Sequence, residues 1–233
     1  MGEENALITG ASRGIGKAIA LRLARLNYSL FLIGRDNDEL TSTAQECEEL
    51  GVSVLVKAGD LTDHSFRESL IPFVLDSLGF IDVLINNAGS SDSAPVQEAD
   101  LVSWDKVLDL NVRTVLHLSR SILPHMMERR KGAVINISSI QGRAVVPKGG
   151  IYCATKHAVN GLTGCMFEDV REYGIKVSSI MPGYVETRMT RALEKVTENM
   201  LSPDDVSDAV EYVLASSPRC CPTEVVLRPQ RAP

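Results

Sequence analysis

The stretch that decides the fold is Ala6-Leu-Ile-Thr9, which runs directly into Gly10-Ala-Ser-Arg13-Gly14-Ile-Gly16. The first four residues form a short apolar run with β-branched members, which is typical of a buried strand. After the turn, apolar residues recur at helical spacing, at Ile15, Ile19, Leu23 and Leu26. A strand, a glycine turn and a helix in this order predict an anion site, because the free N–H groups and the dipole at a helix N-terminus both favour anions.

The three glycines of this turn have separate predicted roles. Gly10 permits a tight turn, Gly14 lets the backbone approach a pyrophosphate, and Gly16 lets the helix pack closely against the strand. The stretch therefore predicts the first strand–turn–helix unit of a nucleotide-binding fold.

The rest of the chain alternates strands with helices. Further strands are predicted at residues 29–34, 53–57, 81–85, 133–137, 176–181 and 224–227. Helices are predicted at residues 36–50, 63–78, 101–130 (where Pro124 can break the helix), 152–173, 187–200 and 203–216. Because the strands are apolar throughout, we expect one α/β domain over residues 1–233, a doubly wound parallel sheet with helices on both faces.

Glycine, proline and polar residues stand where the predicted strands end. These residues are Gly10, Arg35, Asp60, Asn86, Ser139 and Pro182. In open parallel sheets, ligands bind beyond the carboxyl ends of the strands. The sequence therefore predicts a single site at that edge.

A tyrosine and a lysine lie four residues apart in Ile151-Tyr-Cys-Ala-Thr-Lys156, and Ser139 lies thirteen residues before the tyrosine. At a separation of four, two helical side chains share one face. An ammonium beside a phenol favours the phenolate and lowers its pKa from the usual value of about 10. Such pairs are common on helix surfaces, so the interpretation depends on the strand ends around this one.

Composition argues against several classes of protein. The net charge of −6 does not favour a nucleic-acid partner, and the chain contains no run of eighteen apolar residues that would predict a membrane span. The first residues lack the basic and apolar regions of a signal peptide, so we expect a cytoplasmic protein. The five cysteines show no pair spacing and the four histidines no ligand spacing, which predicts free thiols and no metal.

Together these residues resemble the short-chain dehydrogenase/reductase family over essentially the whole chain. The motifs that carry the resemblance are the turn at 9–16, Asn86-Asn-Ala-Gly89, the set Asn111, Ser139, Tyr152 and Lys156, and Pro182-Gly183 with Thr187. The resemblance implies a Rossmann-type sheet in the order 3-2-1-4-5-6-7. It also implies hydride transfer between NAD(P)(H) and a carbonyl or secondary alcohol in a homo-oligomer, a tetramer or a dimer.

The resemblance also implies a role for each site residue. Tyr152 is the expected general acid in carbonyl reduction and base in alcohol oxidation, and Lys156 supports it and bonds the nicotinamide ribose. Ser139 is expected to hold and polarise the substrate oxygen, and Asn111 to support a water that relays protons to Lys156. Ser138 is interpreted as structural, because neighbouring strand residues point to opposite faces.

The same resemblance assigns a set of cofactor contacts. They are Gly10, Ser12, Arg13, Gly14, Ile15, Gly16, Arg35, Asp60, Leu61, Asn87, Ala88, Gly89, Tyr152, Lys156, Pro182, Gly183, Val185 and Thr187. Asp60 is expected to accept a hydrogen bond from the adenine amino group.

The choice between NAD and NADP depends on the end of the second strand. An acid about twenty residues past the glycines binds the ribose of NAD, and that count reaches Asp36. We interpret Asp36 instead as a helix-start residue, because Gly34 ends the strand and leaves room for a 2′-phosphate. Arg35 and Arg13 are cations suited to that phosphate. The prediction is NADP(H), with NAD(H) as the alternative.

The substrate is expected between three loops, at about residues 90–100, 140–151 and 183–202. Predicted apolar lining residues are Val145, Val146, Met189 and Leu193, and cations that could hold a carboxylate are Arg143, Lys148, Arg188 and Arg191.

Three functions remain open: a reductase of small ketones, dicarbonyls or 3-hydroxy acids, a 3-oxoacyl thioester reductase, and a non-catalytic NADP(H)-sensing protein. The ending at 220–229 lacks the glycines of carrier-protein reductases, and the presence of Tyr152 and Lys156 argues against the sensor.

Overall fold

The chain forms a seven-stranded sheet in the order β3-β2-β1-β4-β5-β6-β7, as the resemblance implied. The computed structural model describes residues 4–190 and 197–233. The strands are β1 (Glu4–Thr9), β2 (Tyr28–Gly34), β3 (Val54–Ala58), β4 (Val83–Asn86), β5 (Gly132–Ile137), β6 (Ile175–Pro182) and β7 (Glu224–Leu227). All six neighbouring pairs are parallel, so every strand ends at the same edge of the sheet.

Helices cover both faces of the sheet. They are α1 (Gly14–Arg25), α2 (Asn37–Glu48), α3 (His64–Leu78), α4 (Leu101–Leu108), α5 (Thr114–Arg129), α6 (Gly150–Val170) and α7 (Pro203–Ala215). Ile8 packs in a core cluster with α1, α2 and α7, whereas its neighbour Leu7 packs in a second cluster with α3, α5 and α6. This alternation follows from the pleat of the strand and explains why the central strands are apolar on both faces.

Acidic and hydroxyl side chains cap the starts of α2, α3, α4 and α7. Asp36 accepts a hydrogen bond from the Glu39 N–H at 3.1 Å, which agrees with its interpretation as a helix-start residue. At α7, the Asp205 N–H donates to the Ser202 hydroxyl at 3.2 Å, and the Ser202 N–H donates to the Asp205 carboxylate at 2.7 Å. Caps of this kind typically stabilise a helix by about 1 kcal/mol.

Two helix predictions need correction. The predicted helix at 101–130 is interrupted by a π-helical turn at Asp109–Arg113, and Pro124 lies within α5. Pro124 is exposed, so water can satisfy the carbonyl that proline leaves without a donor. In the predicted helix at 187–200, the described parts form a turn at 188–190 and a 3₁₀ turn at Thr197–Asn199, while 191–196 lie outside the described residues. The Thr190 hydroxyl donates to the Val185 carbonyl at 2.6 Å, a local bond that competes with a helix.

Over the described ranges, 4–190 and 197–233, no helix combines the length and the hydropathy that a bilayer crossing requires.

Candidate active site

A cavity of about 880 Å³ lies at the carboxyl edge of the sheet. Its wall contains most of the predicted site residues. These are Gly10, Ser12, Arg13, Gly14, Ile15, Arg35, Leu61, Asn87, Ala88, Gly89, Ser139, Tyr152, Lys156, Pro182, Gly183, Val185 and Thr187. Gly16, Asp60 and Asn111 are not part of the wall. The wall also contains residues that were not predicted as site residues, among them Leu110, Ile137 and Thr190.

The glycine turn has the backbone that its sequence predicts. Gly10 and Gly14 have φ angles of +66° and +55°, in the left-handed region where a side chain is strained. A Cβ atom on Gly16 would lie 2.1 Å from the Gly10 carbonyl oxygen. Gly16 therefore lets α1 begin directly against the turn, in agreement with its predicted packing role, and the helix N-terminus faces the cavity region.

The end of β4 holds the glycine turn in place. The Thr9 hydroxyl accepts hydrogen bonds from the Asn87 and Ala88 N–H groups at 3.0 and 3.1 Å. The Asn87 side-chain amide donates to the Thr9 and Gly10 carbonyls at 2.9 and 3.1 Å. Asn87 thus acts as a clamp between β4 and the turn, and Thr9 is a second clamp residue that sequence reasoning did not single out.

Tyr152, Lys156 and Ser139 lie together in one part of the wall. The helix α6 begins at Gly150, which places Tyr152 and Lys156 in its first two turns. The Lys156 ammonium donates to the Ile137 carbonyl at 2.9 Å and lies 5.6 Å from the centroid of the Tyr152 ring. The Ser139 hydroxyl bonds the Tyr152 phenol and accepts from the Gln141 N–H at 3.1 Å.

Burial shifts the pKa values of both titratable groups. It raises the pKa of Tyr152, and the hydrogen bond from Ser139 opposes this rise only in part. It lowers the pKa of Lys156 to about 8. The net shift of the Tyr152 pKa is therefore upward, opposite to the lowering expected beside Lys156, because burial outweighs the hydrogen bond that favours the phenolate.

The neighbouring Ser138 is buried, and its hydroxyl donates to the Lys156 carbonyl at 3.3 Å. This bond to the backbone of α6 agrees with a structural role.

Asn111 lies in the π-helical turn and is 1% exposed. Its side-chain oxygen accepts from the Ser90 N–H at 2.9 Å, and its amide donates to the Ser90 carbonyl at 2.8 Å and the Thr155 hydroxyl at 3.1 Å. The side chain therefore ties the loop after β4 to α6. This places Asn111 behind the wall, next to the turn that carries Lys156.

The end of β2 is crowded at its last position. A Cβ atom on Gly34 would lie 2.1 Å from the Ser12 hydroxyl, so a side chain there would require the Ser12 side chain to move. Arg13, Arg35 and Arg188 line this end of the cavity together with Asp36. The wall at this end therefore carries three guanidinium groups and one carboxylate.

Asp60 ends up beside the cavity. Its Oδ1 accepts from the Thr62 N–H at 2.9 Å and the Thr62 hydroxyl at 2.8 Å. Burial raises the pKa of Asp60, but these hydrogen bonds and the charges of Arg35 and Lys106 outweigh it, so the pKa lies below its usual value. The carboxylate is ionised at neutral pH and remains an acceptor.

The substrate loops are only partly as predicted. Ser90, Ser91, Arg188 and Met189 line the cavity. Val145 and Val146 are 78% and 40% exposed and lie outside the wall, which corrects their predicted lining role.

The remaining predicted lining residues and cations differ in where they lie. Arg143 forms an ion pair with Glu224 at the start of β7, so its charge is already compensated. Lys148 is exposed and is not part of the wall. Arg191 and Leu193 fall outside the described residues. Within the described part of the chain, no three His, Cys, Asp or Glu side chains are arranged to hold a metal ion.

The wall fits a dinucleotide. Ligand pockets commonly measure about 300–1,000 Å³, and this cavity lies at the upper end of that range. It combines backbone N–H groups at a helix N-terminus, arginines at one end, and a half-buried tyrosine and a buried lysine at the other. A Rossmann-type sheet with such a site defines a dinucleotide-dependent oxidoreductase.

Comparison with known proteins gives the family. The short chain dehydrogenase model matches residues 4–198, and the chain belongs to this family. It is therefore an NAD(P)-dependent oxidoreductase that acts on CH–OH groups. An uncharacterized oxidoreductase from Staphylococcus epidermidis is 33% identical over 227 residues, 97% of each chain.

Two solved structures share the architecture. A metagenomic short-chain oxidoreductase in complex with NADP is 30% identical, with a TM-score of 0.87 and coverage of 99% of this chain and 98% of that one. An alcohol dehydrogenase from the archaeon Thermococcus sibiricus, complexed with 5-hydroxy-NADP, is 29% identical, with a TM-score of 0.91 and the same coverage.

Proposed function

We propose that the protein is an NADPH-dependent oxidoreductase that reversibly reduces small ketones and dicarbonyls or, in the oxidative direction, acts on 3-hydroxy acids. The observation that carries the proposal is the position of Tyr152, Ser139 and Lys156 in the wall that also contains the glycine turn. A proton donor and a cofactor cradle in one cavity are what reversible hydride transfer at a carbonyl requires.

The residues divide the chemistry between them. The bound nicotinamide supplies the hydride. The Ser139 hydroxyl donates a hydrogen bond to the substrate oxygen, and the Tyr152 phenol transfers its proton to that oxygen as negative charge develops there. Lys156, with a pKa of about 8, is mostly protonated at neutral pH and stabilises the resulting phenolate. Asn111 ties α6 to the loop after β4 and supports the water that returns a proton through Lys156.

The proposed cofactor contacts run along the sheet edge from the adenosine end to the nicotinamide end. Arg13 and Arg35 bind the 2′-phosphate, Asp60 and Leu61 bind adenine, and the turn at α1 binds the pyrophosphate. The nicotinamide half contacts Asn87, Ala88, Gly89, Tyr152, Lys156, Pro182, Gly183, Val185 and Thr187.

We propose a single domain over residues 1–233 in which the loops at 90–100, 140–151 and 183–202 bind the substrate. The exposed Leu101 and Val102 of α4, at 70% and 66%, support a homo-oligomer, a tetramer or a dimer. Free cysteines support a reducing, cytoplasmic location.

The reaction is tested by NADPH oxidation on a panel of diketones, 3-keto acids and 3-oxoacyl thioesters. We expect turnover of small dicarbonyls and 3-keto acids. Tyr152→Phe should lower kcat by at least about a hundredfold, because it removes the proton donor, and should weaken NADPH binding far less, because the aromatic ring and the other cofactor contacts remain. Tight NADPH binding without turnover of any panel member would instead indicate the sensor function.

The cofactor preference is tested by the ratio of kcat/KM for NADPH to that for NADH. We expect the wild type to favour NADPH and Arg35→Ala to reduce kcat/KM for NADPH by about ten- to a hundredfold, because a bidentate contact to phosphate is lost. The value for NADH should stay within about threefold. Equal values for the two cofactors in the wild type, unaltered in Arg35→Ala, would contradict the preference for NADP(H).

A further inference from the structure

The Glu39 carboxylate lies beside two of the arginines that line the β2 end of the cavity. Arg13 forms an ion pair with Glu39, and the Arg188 Nη1 lies 4.0 Å from the other carboxylate oxygen of Glu39. Glu39 lies in the first turn of α2 and is not part of the wall. Arg35, the third arginine of the wall, has no ion pair among the described residues.

We infer that Glu39 determines how strongly this end of the cavity binds a 2′-phosphate, and so sets the selectivity between NADP(H) and NAD(H). The inference rests on the proposed binding of NADP(H) at this end. A phosphate monoester carries nearly two negative charges at neutral pH and is bound best by a free guanidinium. Because Glu39 already neutralises Arg13, an incoming 2′-phosphate must share or displace the carboxylate. A 2′-hydroxyl meets no such repulsion.

Glu39 differs from the other acid at this end. The Asp36 carboxylate accepts the Glu39 N–H at 3.1 Å and is committed to the N-terminus of α2. The partners of the Glu39 carboxylate are guanidinium groups that approach from the glycine turn and from the loop after β6. The side chains of Arg13 and Glu39 are 44% and 39% exposed, and a pair this exposed contributes little to folding. A more strongly charged anion can therefore displace the Glu39 carboxylate from Arg13.

Glu39→Gln keeps the shape of the side chain and removes its charge. Arg13 and Arg188 then face the cavity without the charge of the Glu39 carboxylate. We expect ligands with a 2′-phosphate to bind about three- to tenfold more tightly, the size of one screened charge interaction at a partly exposed site. Ligands without it should keep their affinity.

The chain offers a matched control on the same helix. Glu46 also lies on α2 and pairs with Lys17 at 2.7 Å, and its side chain is 40% exposed. Lys17 does not line the cavity. Glu46→Gln therefore makes the same change in net charge, in a similar ion pair, away from the ligand.

The test is calorimetric titration of the full chain with 2′,5′-ADP and 5′-ADP at low ionic strength. We expect Glu39→Gln to tighten 2′,5′-ADP at least about threefold and to leave 5′-ADP unchanged, while Glu46→Gln changes neither. The gain should shrink when Arg13→Gln is added, because the freed guanidinium is then missing, and should also shrink with added salt.

The outcomes separate the inference from the proposed cofactor preference. No gain for 2′,5′-ADP in Glu39→Gln, or an equal gain in Glu46→Gln, overturns the role of Glu39. A wild type that binds 2′,5′-ADP and 5′-ADP equally overturns the preference for NADP(H). If Glu39→Gln then creates a preference for 2′,5′-ADP, the role of Glu39 stands.

Discussion

The charge of Lys156 depends on pH close to neutrality, and that of Tyr152 does not. Burial lowers the pKa of Lys156 from 10.5 to about 8 and raises the pKa of Tyr152. Below pH 8 the lysine is therefore a cation beside a protonated phenol. As the pH rises through about 8, the lysine loses its proton while the phenol keeps its own. The phenolate formed by proton transfer then lacks its stabilising cation.

The lowered pKa of Lys156 predicts how the rate of carbonyl reduction depends on pH. We expect kcat/KM, which reports the free enzyme, to be level near neutral pH and to fall above a pKa of about 8. Lys156→Met should lower kcat/KM by about a hundredfold and remove the fall, because no group then titrates there. The measurement is the initial rate of NADPH oxidation from about pH 6 to about pH 10. A wild-type profile that stays level across this range would contradict the assigned pKa.

Two asparagines show what motif reading misses at the scale of the residue. The sequence placed Asn87 and Asn111 at the site, whereas the structure places Asn87 in the cavity wall and Asn111 behind it. The amide of Asn87 bonds the carbonyls of Thr9 and Gly10, and that of Asn111 bonds Ser90 and Thr155. Spacing along the chain can bring a residue to a site, but which atoms its amide bonds depends on the neighbouring backbone.

At the scale of the element, the strands followed from local sequence, whereas the π-helical interruption of the helix predicted at 101–130 did not. Strands predicted at 29–34 and 53–57 are observed as Tyr28–Gly34 and Val54–Ala58, because apolar β-branched runs between turn residues mark a buried strand from local sequence alone. The π-helical turn Asp109–Arg113 has no such local signal. It holds Asn111 between two other elements, so its cause lies in tertiary contacts that periodicity does not contain.

Loops were the least predictable elements for the same reason. Ala94 and Gly149 form an isolated parallel bridge that joins the loops after β4 and β5. Arg143 is ion-paired with Glu224, more than eighty positions away in the chain. Hydropathy suggested that Val145 and Val146 would line the cavity, but both side chains are exposed and lie outside the wall. The substrate pocket could therefore be predicted by its location and not by its lining.

At the scale of the whole molecule, the two edges of the sheet have separate tasks. The carboxyl edge carries the cavity, whereas the amino edge carries a charge cluster around Asp82, which is 2% exposed. Asp82 contacts Arg129 at 3.0 Å and Lys131 at 3.7 Å and accepts the Asn5 N–H at 2.9 Å. These contacts join β1, the start of β4 and the end of α5. They lie at the edge of the sheet opposite to the edge that carries the glycine turn and Tyr152.

Stability and cofactor binding should therefore be separable by one substitution at each edge. Asp82→Asn should lower the free energy of unfolding by about 1–3 kcal/mol and Tm by about 3–10 °C, because the paired cations lose their buried carboxylate. The Kd for NADPH should stay within about twofold. Arg35→Ala should show the reverse pattern, an unchanged Tm without ligand and weaker NADPH binding. Thermal unfolding and titration of both variants test this, and an Asp82→Asn protein with native Tm but impaired NADPH binding would show that the two edges are coupled.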